Sequence, residues 1–277
     1  MTKPWVNLID IMPDNLIYDI GMNNGDDTAY YLYRGYRVVA VEANPPLVAA
    51  AQGRFRSEIA AGQLVIRNVG IAQEEGEFPF WICELHSEWC SFRRSIASRE
   101  NAVHYAIPVP CIRFRSVVEE FGVPHYLKID IEGYDRFCLE DLMPETAPQH
   151  ISVEASELEL LDLLHGLGYD RFKCISQFHF LPLEIPPAPE QLRFEETMRL
   201  NQPLTEFRMK DGWEFKSGNS GPFGEDLPGR WQTFAGMKET FAHFQELQKN
   251  GVPSPFWNDR EYSFWADFHA TKGPALS

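Results

Sequence analysis

Residues 16–28, Leu-Ile-Tyr-Asp-Ile-Gly-Met-Asn-Asn-Gly-Asp-Asp-Thr, leave this chain few folds to choose from. An apolar run rich in Ile ends in an acid and a glycine, crosses a short Asn/Gly turn and meets Thr28, which opens a helical pattern. The reading is strand, tight loop, helix. The turn has a plain conformational use, since Asn and Gly accept positive φ. In an open α/β sheet it also lies beyond the carboxyl end of the first strand, where ligands bind.

The glycine spacing narrows the ligand. A dinucleotide fingerprint takes Gly-x-Gly-x-x-Gly, so that bare backbone and a helix N-terminus can approach a diphosphate. Here Asn23 and Asp26 stand at the second and third glycine positions. Asp26 and Asp27 suit the helix dipole but repel a phosphate placed there. A nucleoside without phosphates fits better. S-adenosylmethionine meets that description, and its sulfonium cation tolerates an acidic loop.

The next strand signal, Arg37 to Glu42, is continuous rather than alternating, as expected of a parallel strand buried on both faces. It ends on Glu42, 21 positions after Gly21, near the spacing at which an acid holds a ribose through its hydroxyls. Strand ends are often acidic in any case. Ala43-Asn44-Pro45 is placed alongside the adenosine, and Pro45 to Ile59 supplies a helix. Leu64 to Ala72 reads as a third strand, with Asn68-Val69-Gly70 flanking the adenine. An inserted strand covers Phe78 to Glu84. The loop from His86 to Arg94 suits either a substrate rim or plain surface.

The fourth strand signal is Tyr126-Leu127-Lys128-Ile129-Asp130-Ile131-Glu132-Gly133-Tyr134-Asp135. Side chains alternate along a strand, so Lys128, Asp130 and Glu132 are expected on one face. Three charges there must be paired or open onto a cleft. A fifth strand, His150 to Ala155, carries Glu154 near its end, and a helix from Glu157 to Leu167 follows. Acids thus recur at strand carboxyl ends, although 40 Asp and Glu residues make chance a competitor.

These residues resemble the FkbM-type S-adenosylmethionine-dependent methyltransferases. The resemblance rests on Tyr18-Asp19-Ile20-Gly21 with Asn23 and Gly25, on Val41-Glu42-Ala43-Asn44-Pro45, and above all on Leu127-Lys128-Ile129-Asp130-Ile131-Glu132-Gly133, with Glu154 matching after the fifth strand. It spans about Asn15 to Phe180. It implies an α/β class I fold, a Rossmann-like, doubly wound and mostly parallel sheet. It also implies methylation of a hydroxyl on a sugar or natural product, some members being similar to N-methyltransferases of amides. Two positions depart from the family pattern: Tyr134-Asp135 replaces Ala-Glu, and Trp89-Cys90-Ser91 keeps part of a serine-rich loop.

The expected cofactor contacts are Asp19, Gly21, Asn23, Asn24, Gly25, Thr28, Glu42, Ala43, Asn44, Asn68, Val69 and Asp130, with S-adenosylhomocysteine as product. Asp130 and Glu132 are assigned to acceptor orientation and proton removal, with Glu154 and His179 in reserve. His86 and His179 could join carboxylates around a divalent ion, but no ligand spacing asks for it, and no metal is expected. A nicotinamide-dependent sugar oxidoreductase would share the fold but needs the missing glycines. A non-catalytic binding protein on the same fold is disfavoured by the intact Asp19, Gly21, Gly25 and Glu42.

Pro182 to Pro189 holds four prolines and marks a boundary. Residues 1–180 are expected to form the cofactor domain, with Met1 to Asp14 covering a sheet edge. Residues 181–277 form an aromatic-rich extension packing on it, either a substrate lid or a satellite core, with a helix from Ala235 to Asn250. The formal net charge of -15 argues against nucleic acid, which is bound through Lys and Arg. The five cysteines show no Cys-x-x-Cys pair and read as reduced and buried. With no signal peptide and no apolar run of about 20 residues, the expectation is a cytoplasmic protein acting on a small molecule, away from membranes.

Overall fold

A computed structural model describes residues 15–199, 207–252, 256 and 265–273. The expected edge cover from Met1 to Asp14 lies outside them. The strands are β1 (Leu16–Ile20), β2 (Arg37–Val41), β3 (Leu64–Arg67), β4 (Gly70–Ile71), β5 (Gly76–Cys83), β6 (His104–Ile112), β7 (Tyr126–Ile129), β8 (His150–Glu154), β9 (Arg171–Ser176), β10 (Phe207–Arg208), β11 (Glu214–Phe215) and β12 (Ala266–Thr271). The helices are α1 (Asp26–Tyr33), α2 (Pro45–Arg54), α3 (Arg56–Ala60), α4 (Arg94–Ala97), α5 (Phe114–Phe121), α6 (Asp135–Glu140), α7 (Glu159–Gly166), α8 (Pro189–Arg199) and α9 (Phe234–Lys249).

Seven strands form one sheet in the order β3-β2-β1-β7-β8-β12-β9, and only β12 runs antiparallel to its neighbours. The sheet reverses direction of winding beside β1, so the carboxyl ends of β1 and β7 open a crevice between them. Alternation along each strand feeds two cores. Tyr18, Leu127, Val153 and Phe268 face one layer, with Phe114 of α5, Leu139 of α6, Leu161 of α7 and Phe241 of α9. Ile17, Val38 and Tyr126 face the other, with Tyr31 of α1, Ala51 of α2 and the Phe215 and Leu227 side chains. Both faces are covered, which is why the strands read as unbroken apolar runs. This is the α/β, Rossmann-like, mostly parallel architecture expected from the sequence.

The sheet draws β12 from beyond the expected boundary at residue 180 and seats it between β8 and β9. Other parts of the same stretch pack on the sheet: Phe223 stacks on Tyr126 with ring centroids 4.2 Å apart, and Phe215 meets Tyr30 at 4.6 Å. Fully burying one such side chain contributes about 1.5–3 kcal/mol. All five cysteines are buried and unbridged. No helix among the described residues is long and apolar enough to cross a membrane.

Three sequence expectations change in detail. The strand expected over residues 64–72 divides, because Asn68 donates its side-chain amide to the carbonyls of Glu42 and Ala43, and β4 then joins β6 and β5 in a separate three-stranded sheet. The helix expected over residues 45–59 breaks at Phe55, where φ is -107° and ψ 30°. The fourth main strand stops at Ile129 instead of running to Asp135. There the Asp135 carboxylate accepts from the backbone N–H groups of Ile131 and Gly133, both at 3.0 Å, and folds the chain into a tight turn with Glu132 at φ 51° and Gly133 at φ 90°.

Candidate active site

The β1–α1 turn is fastened to its neighbours by backbone. The amides of Gly21 and Met22 both donate to the carbonyl of Val41, and Gly21 itself lies at φ 86°. A Cβ on Gly21 would overlap the Asp130 carbonyl. Gly21→Ala should therefore destabilise the protein by about 3 kcal/mol, lowering the melting temperature by roughly 6–12 °C for a chain of this size. An unshifted calorimetric melt would show that β1 and β7 separate easily at this point.

Under the turn lies a buried ion cluster. Lys128 is 3% exposed and sits 3.1 Å from Asp19 and 3.8 Å from Asp130, while its ammonium donates to the Gly21 carbonyl at 2.7 Å. Burial alone would push Lys128 toward neutrality, but Asp19, Asp130 and Asp27 overcome it and hold its pKa above the ordinary value. Asp19 also accepts from the Thr28 hydroxyl at 2.5 Å. These charges brace the strand ends, since removing one partner would strand another in the interior.

Above the cluster a cleft of about 740 Å³, partly open to solvent, is bounded by Gly21, Asn23, Glu42, Ala43, Val69 and Asp130. Those six were all expected to touch a cofactor. Glu42 is the best-defined of them. It is 7% exposed, and its two carboxylate oxygens accept from the backbone N–H groups of Asn23 and Asn44, each at 2.8 Å. Burial raises its pKa, and those two N–H groups oppose the rise. The Asn23 side-chain oxygen is buried in the same wall with no hydrogen-bond partner among the described residues.

The remaining expected cofactor residues stand behind that wall. Asp19 and Thr28 belong to the buried cluster, Asn44 and Asn68 fasten the Glu42 turn, and Asn24 caps the amide of Asp26 at 2.9 Å. Gly25 lies at φ 79°, and a Cβ there would meet the Phe55 ring at 2.7 Å. The two acids that open α1 are engaged by neighbouring segments. Asp27 accepts from the amides of Ser220 and Gly221, and Asp26 pairs with Arg54 at 2.7 Å and Lys216 at 3.4 Å.

A second cavity of about 790 Å³, also open to solvent, adjoins the first, and Glu132 lines both. Carboxylate oxygens of Asp130, Glu132 and Glu154 come within 4.8 Å of one another, which among the described residues is the grouping able to hold a metal ion. Three acids so close resist simultaneous ionisation. Burial and Asp130 push Glu132 up to about 8 against the pull of Arg99, whose guanidinium lies 3.7 Å away. Burial, then Glu132, Asp135 and Asp130, raise Glu154 well above the carboxylate range.

His179 does not join this group. Its ring packs on Phe194 at 4.5 Å, and it lines neither cavity. His86 pairs with Glu88 at 3.2 Å. The sequence reading also missed Gln177, Gly218 and Trp265, which bound the cleft from segments far along the chain. The one hint was the aromatic run that contains Trp265.

The sequence model of the family described as "Methyltransferase FkbM domain" matches residues 19–171. Among solved structures, a methyltransferase FkbM from Methylobacillus flagellatus KT is similar at 16% identity, with a TM-score of 0.39. That likeness covers 56% of this chain, and the chain spans 37% of the other protein's length. No curated protein matches. The family match runs from the end of β1 through α7, and takes in most of the cleft wall, Glu42 and the Asp130-Ile131-Glu132 turn. The chain belongs to the FkbM methyltransferase domain family.

Proposed function

We propose that the protein is an S-adenosylmethionine-dependent O-methyltransferase acting on a hydroxyl of a sugar or natural product. The observation that carries this reading is that one side chain, Glu132, stands between two cavities. One holds the donor and the other the acceptor.

The residues of the cleft fit the donor. Glu42 presents a fixed carboxylate for ribose hydroxyls, Asn23 has an unsatisfied oxygen, and Gly21 brings bare backbone. Asp130 and Glu88 make the wall acidic, which suits a sulfonium. When bound, S-adenosylmethionine supplies an electrophilic methyl group. Glu132 takes the proton from the acceptor hydroxyl at a carboxylate oxygen, and Glu154 and Asp130 orient that hydroxyl. Holding donor and acceptor side by side supplies much of the rate, because positioning replaces a bimolecular encounter. A nicotinamide dinucleotide is disfavoured, since Asp26 and Asp27 put two carboxylates in the first turn of the helix whose N-terminus its diphosphate would need.

The test is calorimetric titration with S-adenosylmethionine, S-adenosylhomocysteine and NAD, followed by transfer of labelled methyl to sugar and polyketide acceptors. Micromolar binding of both sulfur nucleosides with none of NAD is the expected result. Binding of NAD alone would overturn the proposal.

A further inference from the structure

The second cavity is polarised. Its inner acids, Glu132, Asp135 and Glu154, are buried or half-buried, whereas Arg93 and Arg136 are exposed and Arg99 half-buried. Two of the three arginines are engaged: Arg99 faces Glu132 at 3.7 Å, and Arg136 donates to Glu140 at 3.0 Å. Arg93 is different. Its side chain makes no hydrogen bond or ion pair among the described residues, although four carboxylates, those of Glu132, Asp135, Glu154 and Glu157, share its cavity.

The position of that guanidinium is built into the turn. A Cβ on Gly133 would lie 3.0 Å from Arg93 Cδ, 3.1 Å from Nε and 3.2 Å from Cζ, so the arginine lies against a bare Cα. Its backbone is fixed as well, the Arg93 amide donating to the Ser91 hydroxyl at 2.9 Å while that hydroxyl donates to the Glu132 carbonyl at 2.8 Å. Ser91 thus joins the arginine and the proposed base in one unit. An unpaired guanidinium held over a pocket presents a planar fork that matches a carboxylate or phosphate through two parallel hydrogen bonds. Of the acids beneath it, Asp135 is occupied by two backbone N–H groups and Glu132 faces Arg99.

We infer that the acceptor carries an anionic group, a carboxylate or phosphate, and that Arg93 binds it, turning the acceptor hydroxyl toward Glu132. The inference rests on the methyltransferase reading and adds a substrate class to it: an acidic or phosphorylated sugar or a similarly charged natural product. It explains how a chain of net charge -15 takes an anion, with a local basic rim set against the surrounding field.

The experiment uses the full chain saturated with S-adenosylhomocysteine and measures binding of three probes by saturation-transfer NMR at low salt: methyl glucoside, methyl glucuronide and glucose 6-phosphate. At least one anionic probe should bind tenfold or more tightly than methyl glucoside, and the better of the two identifies carboxylate or phosphate. Arg93→Ala should reduce that preference to within twofold, Arg93→Lys should retain part of it, and Arg115→Ala, which alters a remote pair with Asp141, should leave it unchanged. Equal binding of all three probes, or a preference that survives Arg93→Ala, would overturn the inference. Failure of S-adenosylhomocysteine itself to bind would instead overturn the methyltransferase reading.

Discussion

Replacing Glu132 by glutamine should lower turnover by about 10²–10⁴, the range for loss of a general base, while S-adenosylhomocysteine affinity stays within about threefold. The substitution keeps size and shape at a position whose φ of 51° already strains any side chain, so the turn should survive. It removes the charge that the proton transfer needs. Burial and Asp130 push Glu132 up to about 8, so the base is mostly protonated at neutral pH and its active fraction grows as pH rises. Turnover of the native protein should therefore climb toward pH 8 and level off above it, and Glu132→Gln should flatten that limb. The same shift has a stability consequence with the opposite sign. Folded Glu132 holds a proton between its unfolded pKa and about 8 that the unfolded chain has already lost, so its contribution to stability is complete below the unfolded pKa, declines as pH rises through that window and is lost once pH has passed about 8. Undiminished turnover in Glu132→Gln would remove the residue from the chemistry and leave Glu154 as the acid to test.

What could be read from the chain alone followed the range of the forces involved. The β1 turn, β2 and Glu42 are specified locally, by a continuous apolar run that stops at a Gly or an acid, and they stand where the sequence put them. Lys128 and Asp130 were expected to need a partner or a cleft; Lys128 is paired with Asp19 and Asp130, and Asp130 also lines the cleft. The strand, and with it the alternation of side chains, ends at Ile129 because a side chain outside the pattern, the Asp135 carboxylate, captures the backbone amides that a longer strand would have used. His179, held in reserve for proton removal, packs instead on Phe194. Gln177 and Gly218 had no local signature, and Trp265 only its place in an aromatic run. They reach the cleft because β12 pairs antiparallel with β8 and β9, a long-range arrangement that no stretch of sequence announces.

Glu42→Ala should weaken S-adenosylhomocysteine binding at least 100-fold, about 2.7 kcal/mol. The carboxylate is asked to do two things at once. It closes the β1 and β2 turns onto each other through the amides of Asn23 and Asn44, and it faces the cleft where ribose hydroxyls would lie. Hydrogen bonds to a buried charge contribute about 1.5–3 kcal/mol each, so losing the carboxylate also orphans two backbone donors in the wall of the site. Calorimetry must separate the two effects. Glu42→Gln keeps one oxygen acceptor and nearly the same shape but turns its NH2 toward the other backbone donor, so its ligand-free melting temperature should return part of the way to that of the native protein. Its affinity should remain at least tenfold weak, because an amide meets ribose hydroxyls without the charge. If Glu42→Gln instead restores both the melt and the affinity, the residue serves only to shape the loop. The ribose contact would then belong to another group in the wall, with the unpartnered Asn23 oxygen the first to test.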